Sequence, residues 1–375
     1  MESSGKLVNN AVSGIPFFKI GTFGNVADVF ITKKKFEEYK AKYSYPKKGD
    51  VLISAAGTIG RTVVYNGEDA YFQDSNIVWI ENDESKVVNA LLYYAYKNVK
   101  WKVSNGSTIL RLYNDDLRRT EIFVPADISV QKKIASILSS LDKRIENLRA
   151  QNRVLEQTAK TIYDYTFLQC AGHQTTYNKT LNRNIPTKWE TDNLYRIADF
   201  TNGLACQKYR PTTEKDKLPV IKIREMHEGI TADTEFVRSD IPEKVIVNPG
   251  DLLFSWSASL EVMMWNGVKG GLNQHIFKVT PKEYFSLYYV YFQLKDYIGN
   301  FKRMAEARKT TMGHITTDHL NQSRIAIPDE ETMKRFSSQV TPLFKKQLVN
   351  SQQIETLTTQ RNTLLPLLMT GQIEV

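Results

Sequence analysis

One seven-residue beat, written twice, restricts what this chain can fold into more than any other feature. Between about Ser129 and Gly172 the apolar positions are Ile134, Leu138, Leu141, Ile145, Leu148, Leu155, Ala159 and Ile162, with Asn152 as the one polar member of the seam. Alternation of four and three marks a long helix whose narrow apolar stripe needs a partner helix. The beat returns at Phe336, Val340, Leu343, Ile354, Leu357, Leu364 and Leu368. Residues 336, 340, 343 and 357 each lie 202 positions after 134, 138, 141 and 155, so the second helix keeps the register of the first.

What precedes each helix is also repeated. Ile15-Pro16-Phe17-Phe18-Lys19-Ile20 is answered by Leu218-Pro219-Val220-Ile221-Lys222-Ile223, and Gly49-Asp50-Val51-Leu52-Ile53-Ser54 by Gly250-Asp251-Leu252-Leu253-Phe254-Ser255. Val64-Tyr65-Asn66-Gly67 is answered by Met264-Trp265-Asn266-Gly267, and Leu117 to Pro125 by Leu320 to Pro328. The chain is therefore one unit built twice. Gly-Asp before an apolar run predicts a turn entering a buried strand, and Asn-Gly predicts a hairpin. Asn89 to Lys97 and Tyr284 to Lys295 are apolar at helical spacing, so each predicts a helix packed on the sheet. Glu121 to Val124 and Arg324 to Ile327 predict a last strand before each long helix. Asp127 or Ser129 can cap the first helix, and Asp329 with Glu330 and Glu331 the second. Gly172 and Gly371 are candidate stops. Pro342 either kinks the second helix or starts a new one behind Thr341.

Roughly 35 helical residues at about 1.5 Å each make a rod of about 50 Å, about 15 base pairs of duplex. The expected fold is mixed α/β, with two globular units each followed by a long helix. The two helices are expected to pair as an antiparallel coiled coil that can measure distance.

Composition sets broad limits. Apolar residues make up 41% and charged residues 24%, as in a soluble globular protein, and 375 residues suffice for two cores. No apolar run reaches membrane-spanning length, and Met1-Glu2-Ser3-Ser4-Gly5 lacks the features of a signal peptide. Two cysteines, Cys170 and Cys206, make no disulfide framework, and a cytoplasmic location is expected. The net charge of +9 favours a polyanionic partner without requiring one.

Ile185-Pro186 with Trp189-Glu190, the Gly250-Asp251-Leu252-Leu253-Phe254-Ser255 block and the ending Gln360 to Ile373 together resemble the specificity subunits of type I restriction-modification enzymes. The resemblance covers nearly the whole chain. It implies target recognition domains at 1–128 and 185–328, long helices at 129–172 and 329–375, and a linker at 173–184. Each recognition domain would read half of a split double-stranded DNA site. The helices would set the gap and dock methyltransferase subunits, which use S-adenosylmethionine to methylate adenine. Restriction subunits would supply ATP- and Mg-dependent translocation and cleavage. No cofactor is expected on this chain. The Trp-Glu opening and the segment Ile197 to Gly203 have no counterpart upstream of Gly14, so the first unit is expected to be shortened at its N-terminal end.

Candidate DNA contacts are residues able to donate to base edges and phosphates. Thr58 and Arg61 lie in a small-residue turn, where a solvated arginine is the plain alternative. Ser107, Thr108 and Arg111 pair by position with Arg308, Lys309, Thr310, Thr311 and His314 as hydroxylated, basic loops before the last strand. Lys222 and Arg224, like Lys19, follow an apolar strand. Gln73, Asn76, Asn273, Gln274 and His275 can read adenine or serve as buried strand-end amides, and Trp256 can equally be core. Leu141, Leu148, Asn152, Leu155, Ile354, Leu357 and Leu364 form the seam that pairs the helices or faces partner subunits, and Asn152 can fix its register. There is no His-Glu-Xaa-Xaa-His, nucleotide-binding loop or Asn/Asp-Pro-Pro-Tyr/Phe motif, so no catalytic site and no metal site is expected here. Two rival readings are a repeat-built scaffold for protein assembly and a silent or recombining partial allele.

Overall fold

The computed structural model describes residues 14–72, 76–101, 110–213, 216–257, 259–307, 315 and 317–375. They form two compact units, Met1–Arg144 with Leu357–Val375 and Ile145–Thr356, so each long helix is shared between units.

In unit 1, β1 (Ile15–Phe18) pairs antiparallel with β2 (Val29–Ile31), and α1 (Lys33–Lys42) follows. A second sheet holds β3 (Val51–Ser54), which lies between β4 (Thr62–Val64) and β6 (Ile77–Trp79). β5 (Tyr71–Phe72) returns to pair parallel with β1. Then come α2 (Asn89–Asn98), the short α3 (Asn114–Arg119) and α4 (Ile128–Tyr163). β3 is wholly buried, which requires its continuous apolar run.

Unit 2 opens with the hairpin of β7 (Thr175–Asn178) and β8 (Arg183–Pro186), so the expected linker at 173–184 carries ordered strand. β9 (Glu190–Asp192) and β10 (Ala198–Asn202) follow. β11 (Lys217–Ile221), α5 (Ile223–Glu228), β12 (Phe236–Arg238) and β13 (Ile246–Val247) lead to β14 (Leu252–Ser255), β15 (Glu261–Met264), β16 (Gly270–Leu272) and β17 (Ile276–Pro281). α6 (Leu287–Ala307), α7 (Thr317–Gln322), β18 (Ile325–Ile327) and the first part of α8 (Glu330–Met369) complete the unit. Two four-stranded sheets have the orders β10-β17-β14-β15 and β12-β11-β16-β13.

The repeat holds at the level of individual hydrogen bonds. Phe17 pairs with Tyr71 in a parallel ladder, as Val220 pairs with Gly271. Asp50 accepts the Lys47 amide at 2.7 Å, and Asp251 accepts the Asn248 amide at 2.7 Å. The glycines before them have φ of 97° and 95°, the left-handed region where a Cβ is penalised. That explains Gly-Asp in both copies. The expected Asn-Gly hairpins are not formed. Asn66-Gly67 and Asn266-Gly267 turn the chain out of one sheet into the other, because β5 and β16 pair with β1 and β11 rather than with β4 and β15.

Two further expectations are corrected, and an open alternative at Pro342 is closed. Residues 121–124 form no strand, whereas β18 does, because β18 has β9 as a partner and no described residue plays that part in unit 1. The Gln131 side chain closes the corner there instead. It donates to the Lys86 and Pro125 carbonyls at 2.8 and 2.7 Å and accepts the Val88 amide at 2.9 Å. The first long helix stops short of Gly172. After Tyr163 comes a wide π turn, Arg183 donates to the Phe167 and Leu168 carbonyls, and Cys170 takes φ 53°. α8 runs through Pro342 as one 40-residue helix, so no second helix starts behind Thr341.

Within each unit the long helices run antiparallel. In unit 1, Arg361 on α8 meets Asp142 on α4 at 2.6 Å, and Lys133 reaches the Val375 carbonyl at 3.3 Å. In unit 2, Asn152 donates to Ser351 at 3.2 Å and accepts from Asn350 at 2.9 Å, while Phe167 meets Phe336 with ring centroids 4.9 Å apart. Asp127 and Asp329 each cap the following helix, accepting the amides of Ser129 and Thr332 at 2.7 and 2.9 Å. The largest core lies in unit 2, where Tyr163, Phe167, Tyr289, Phe292 and Phe336 are nearly inaccessible. No helix among the described residues is long and apolar enough to cross a membrane.

Candidate nucleic-acid interface

In unit 2 the ends of four strands meet at one edge. β10 ends at Asn202, which pairs with Phe277 near the start of β17. β14 runs out at Ser255, opposite Ile276, and leads into Trp256. β11 is followed by Lys222, and the Ile221 carbonyl accepts the Asn273 amide at 3.1 Å. The turn from β16 to β17 carries Asn273, Gln274 and His275. Gly203 is demanded by this crowding, since a Cβ there would collide with the Asn273 carbonyl.

The polar side chains of this edge touch one another. Trp256 Nε1 donates to Asn202 Oδ1 at 3.2 Å, Gln274 Nε2 lies 3.4 Å from His275 Nε2, and the Trp256 and His275 rings are 5.6 Å apart. Nδ1 of His275 is buried without a hydrogen-bond partner among the described residues. The Ile315 amide donates to the Trp256 carbonyl at 3.0 Å.

Unit 1 has the same arrangement of backbone. The Ala55 amide donates to Asn76 at 2.8 Å as Trp256 does to His275 at 3.2 Å, and Leu112 donates to Ala55 at 2.7 Å as Ile315 does to Trp256. In both copies the serine closing the strand, Ser54 or Ser255, donates its hydroxyl to the carbonyl four residues on, at Thr58 or Ser259.

Of the expected contacts, Ser107, Thr108, Arg308, Lys309, Thr310, Thr311 and His314 lie outside the described residues, as does Gln73. Thr58 is exposed on the turn after β3. Arg61 is half-buried, and its guanidinium donates to the Phe23 carbonyl at 3.0 Å. Arg111 bridges to Ala56 beside that turn. Lys222 pairs with Glu235, whose carboxyl is held below its ordinary range chiefly by that lysine, and Arg210 joins the same carboxylate at 2.8 Å. Arg224 pairs with the buried Glu225 at 2.9 Å. Both cations are thus already partly neutralised within the unit. Among the seam residues Leu148 is buried, while Leu141, Asn152, Leu155, Ile354, Leu357 and Leu364 are half-buried.

The sequence does not show Trp256, His275 and Asn202 as one group, because they stand at the ends of three different strands and only the register brings them together. Their equivalence to Ala55 and Asn76 was implicit in the repeat offsets. Gln131 carried no signal in the sequence.

This duplicated framework is matched by a known family. The family model of the type I restriction modification DNA specificity domain matches residues 3–157 and again 186–359, and the chain belongs to that family. A putative type I restriction enzyme specificity subunit of Haemophilus influenzae is 50% identical over 151 residues, which cover 40% of this chain and 39% of that relative. The type I restriction enzyme MjaIX specificity subunit of Methanocaldococcus jannaschii is 27% identical over 92% of this chain and 82% of its own length. The crystal structure of a type I restriction-modification S subunit from M. genitalium shares the fold, with a TM-score of 0.55 and 15% identity over 98% of this chain and 91% of the other.

Proposed function

We propose that the chain is the DNA-recognition subunit of a type I restriction-modification system, each unit reading one half of a split duplex site. The observation that carries this is the same strand-end framework built twice, with one DNA-specificity family model matching both copies. Strand ends and turns presenting amides, an imidazole and an indole suit the donor and acceptor code of the major groove. Arg111 in unit 1 and Arg308, Lys309, Thr310, Thr311 and His314 in unit 2 supply phosphate and base contacts. Ser107, Thr108, Thr58 and Arg61 act with them in unit 1, and Lys222 and Arg224 orient the second edge through their ion pairs. Recognition domains at 1–128 and 185–328, each followed by its long helix, α4 or α8, fit the same plan.

The half-buried seam at Leu141, Leu155, Ile354, Leu357 and Leu364 leaves apolar surface for methyltransferase subunits, with restriction subunits joining that complex. S-adenosylmethionine, ATP and Mg belong to those partners, and this chain supplies recognition without catalysis. Binding of duplex DNA by the full chain with its methyltransferase subunits tests the proposal. Affinity should fall at least about a hundredfold between roughly 50 and 200 mM salt, as expected for a protein that displaces counterions from phosphates. Binding absent at low salt would overturn it and leave the assembly scaffold.

A further inference from the structure

We infer that Trp256 and His275 are the base-contacting pair of unit 2, and that Ala55 and Asn76 hold the same two places in unit 1. This rests on the DNA-recognition role proposed above and names which side chains make each half-site different.

Around these positions the hydrogen bonds are the same in both units: the amide of the first residue to the carbonyl of the second, and the amide of Leu112 or Ile315 to the carbonyl of the first. The flanking residues are alike as well, with Ser54 and Ser255 before the first position, Ile77 and Ile276 after the second, and Leu112 and Ile315 on the returning segment. All six are buried. Between these matched neighbours the side chains change completely, from alanine to tryptophan and from asparagine to histidine. A core position resists a change from small to large, since overpacking is itself destabilising. Ala55 is fully buried in unit 1, whereas Asn76, Trp256 and His275 stand half-buried, so at the first place unit 2 carries an aromatic ring out to an edge where unit 1 has only a core methyl.

The chemistry fits a base edge. Asparagine can make a forked pair with adenine, whereas imidazole offers a single ring donor and the indole, its Nε1 held by Asn202, offers its apolar face, so exchanging the pair alters which base is favoured. Nδ1 of His275 is already buried without a partner among the described residues, an uncompensated polar group that rotation of the ring toward a base would satisfy. Asn202 and Gln274 flank the pair and extend the set of donors.

The test is selection from duplex libraries in which both half-sites are randomised, using the full chain with its methyltransferase subunits. H275N and W256F are chosen because Asn is the residue of unit 1 and Phe preserves the aromatic packing. H275N should change the preferred base at one or two positions of one half-site, by about tenfold or more. W256F should weaken discrimination in that same half. The other half-site should be unchanged in both. If wild type selects a split motif and both variants select the same motif, or if both halves degrade together, this assignment fails while the proposed function stands. If wild type selects no motif, the proposed function fails and this assignment with it.

Discussion

The two units share a backbone plan and differ in how its margins are finished. In unit 2 a fourth strand, β10, covers the edge of β17, β9 covers β18, and Trp189 donates to Asp329 at the cap of α8. In unit 1, among the described residues, no strand lies beyond β6 and none pairs with residues 121–124, where Phe123 is 76% exposed. Position 131, equivalent to the fully buried Met333, is a fully buried glutamine. The lesson is that the Gly-Asp turns and the strand-closing serines fix the framework, while the margins can be completed by strands in one copy and by side chains in the other. A polar corner can replace an apolar one only if every group in it is satisfied, as Gln131 achieves.

Substitutions at matched positions probe the two units separately. Phe336 and Ile134 occupy the same register in the two long helices and are each 1% exposed. Phe336→Ala should cost about 3–5 kcal/mol and Ile134→Ala about 2–5 kcal/mol in urea unfolding of the full chain. A negligible cost at either would show that its seam is not core. Exchanging the corner residues is the sharper trial. Gln131→Met strands the Val88 amide and two carbonyls and should destabilise by about 1–3 kcal/mol, although methionine is what unit 2 uses there. An unchanged midpoint would mean the corner is wet.

Asp329→Ala removes a cap and the Trp189 partner together and should cost roughly 1–2 kcal/mol. Asp127→Ala, which removes only an exposed cap, should cost less by the same measurement. The smallest effect concerns pH. Glu156 in unit 2 is partly desolvated, but Lys295 at 2.7 Å and Tyr291 hold its carboxyl below the ordinary 4.5. Its contribution is therefore complete above pH 4.5 and lost as pH falls through the lowered folded value. Glu156→Gln should flatten the acid limb of the stability curve, and an unaltered limb would contradict the pairing.

Much of this architecture was legible in the sequence because period and offset are global signals. Ile134 and Phe336, 202 residues apart, could be matched without knowing any contact. Local signals did less well. Asn66-Gly67 and Asn266-Gly267 do make turns, but which sheet the next strand joins depends on β1 and β11, far upstream. Residues 121–124 have the composition of a strand, yet a strand needs a neighbour, and the composition of one segment cannot show whether that neighbour exists. The candidate interface was the least legible part. Lys222 and Arg224 looked like free cations because nothing in their sequence neighbourhood announces Glu235 or the burial of Glu225. Trp256 and His275 become partners only through the pairing of β14 with β17.

The central claim is that one recognition framework is built twice and read separately. Methylome sequencing of cells carrying this chain with its methyltransferase subunits tests it most directly. The expected result is a single modified motif of two specified halves separated by a gap of unspecified bases. A continuous motif, or one whose specified bases all depend on a single unit, would contradict it.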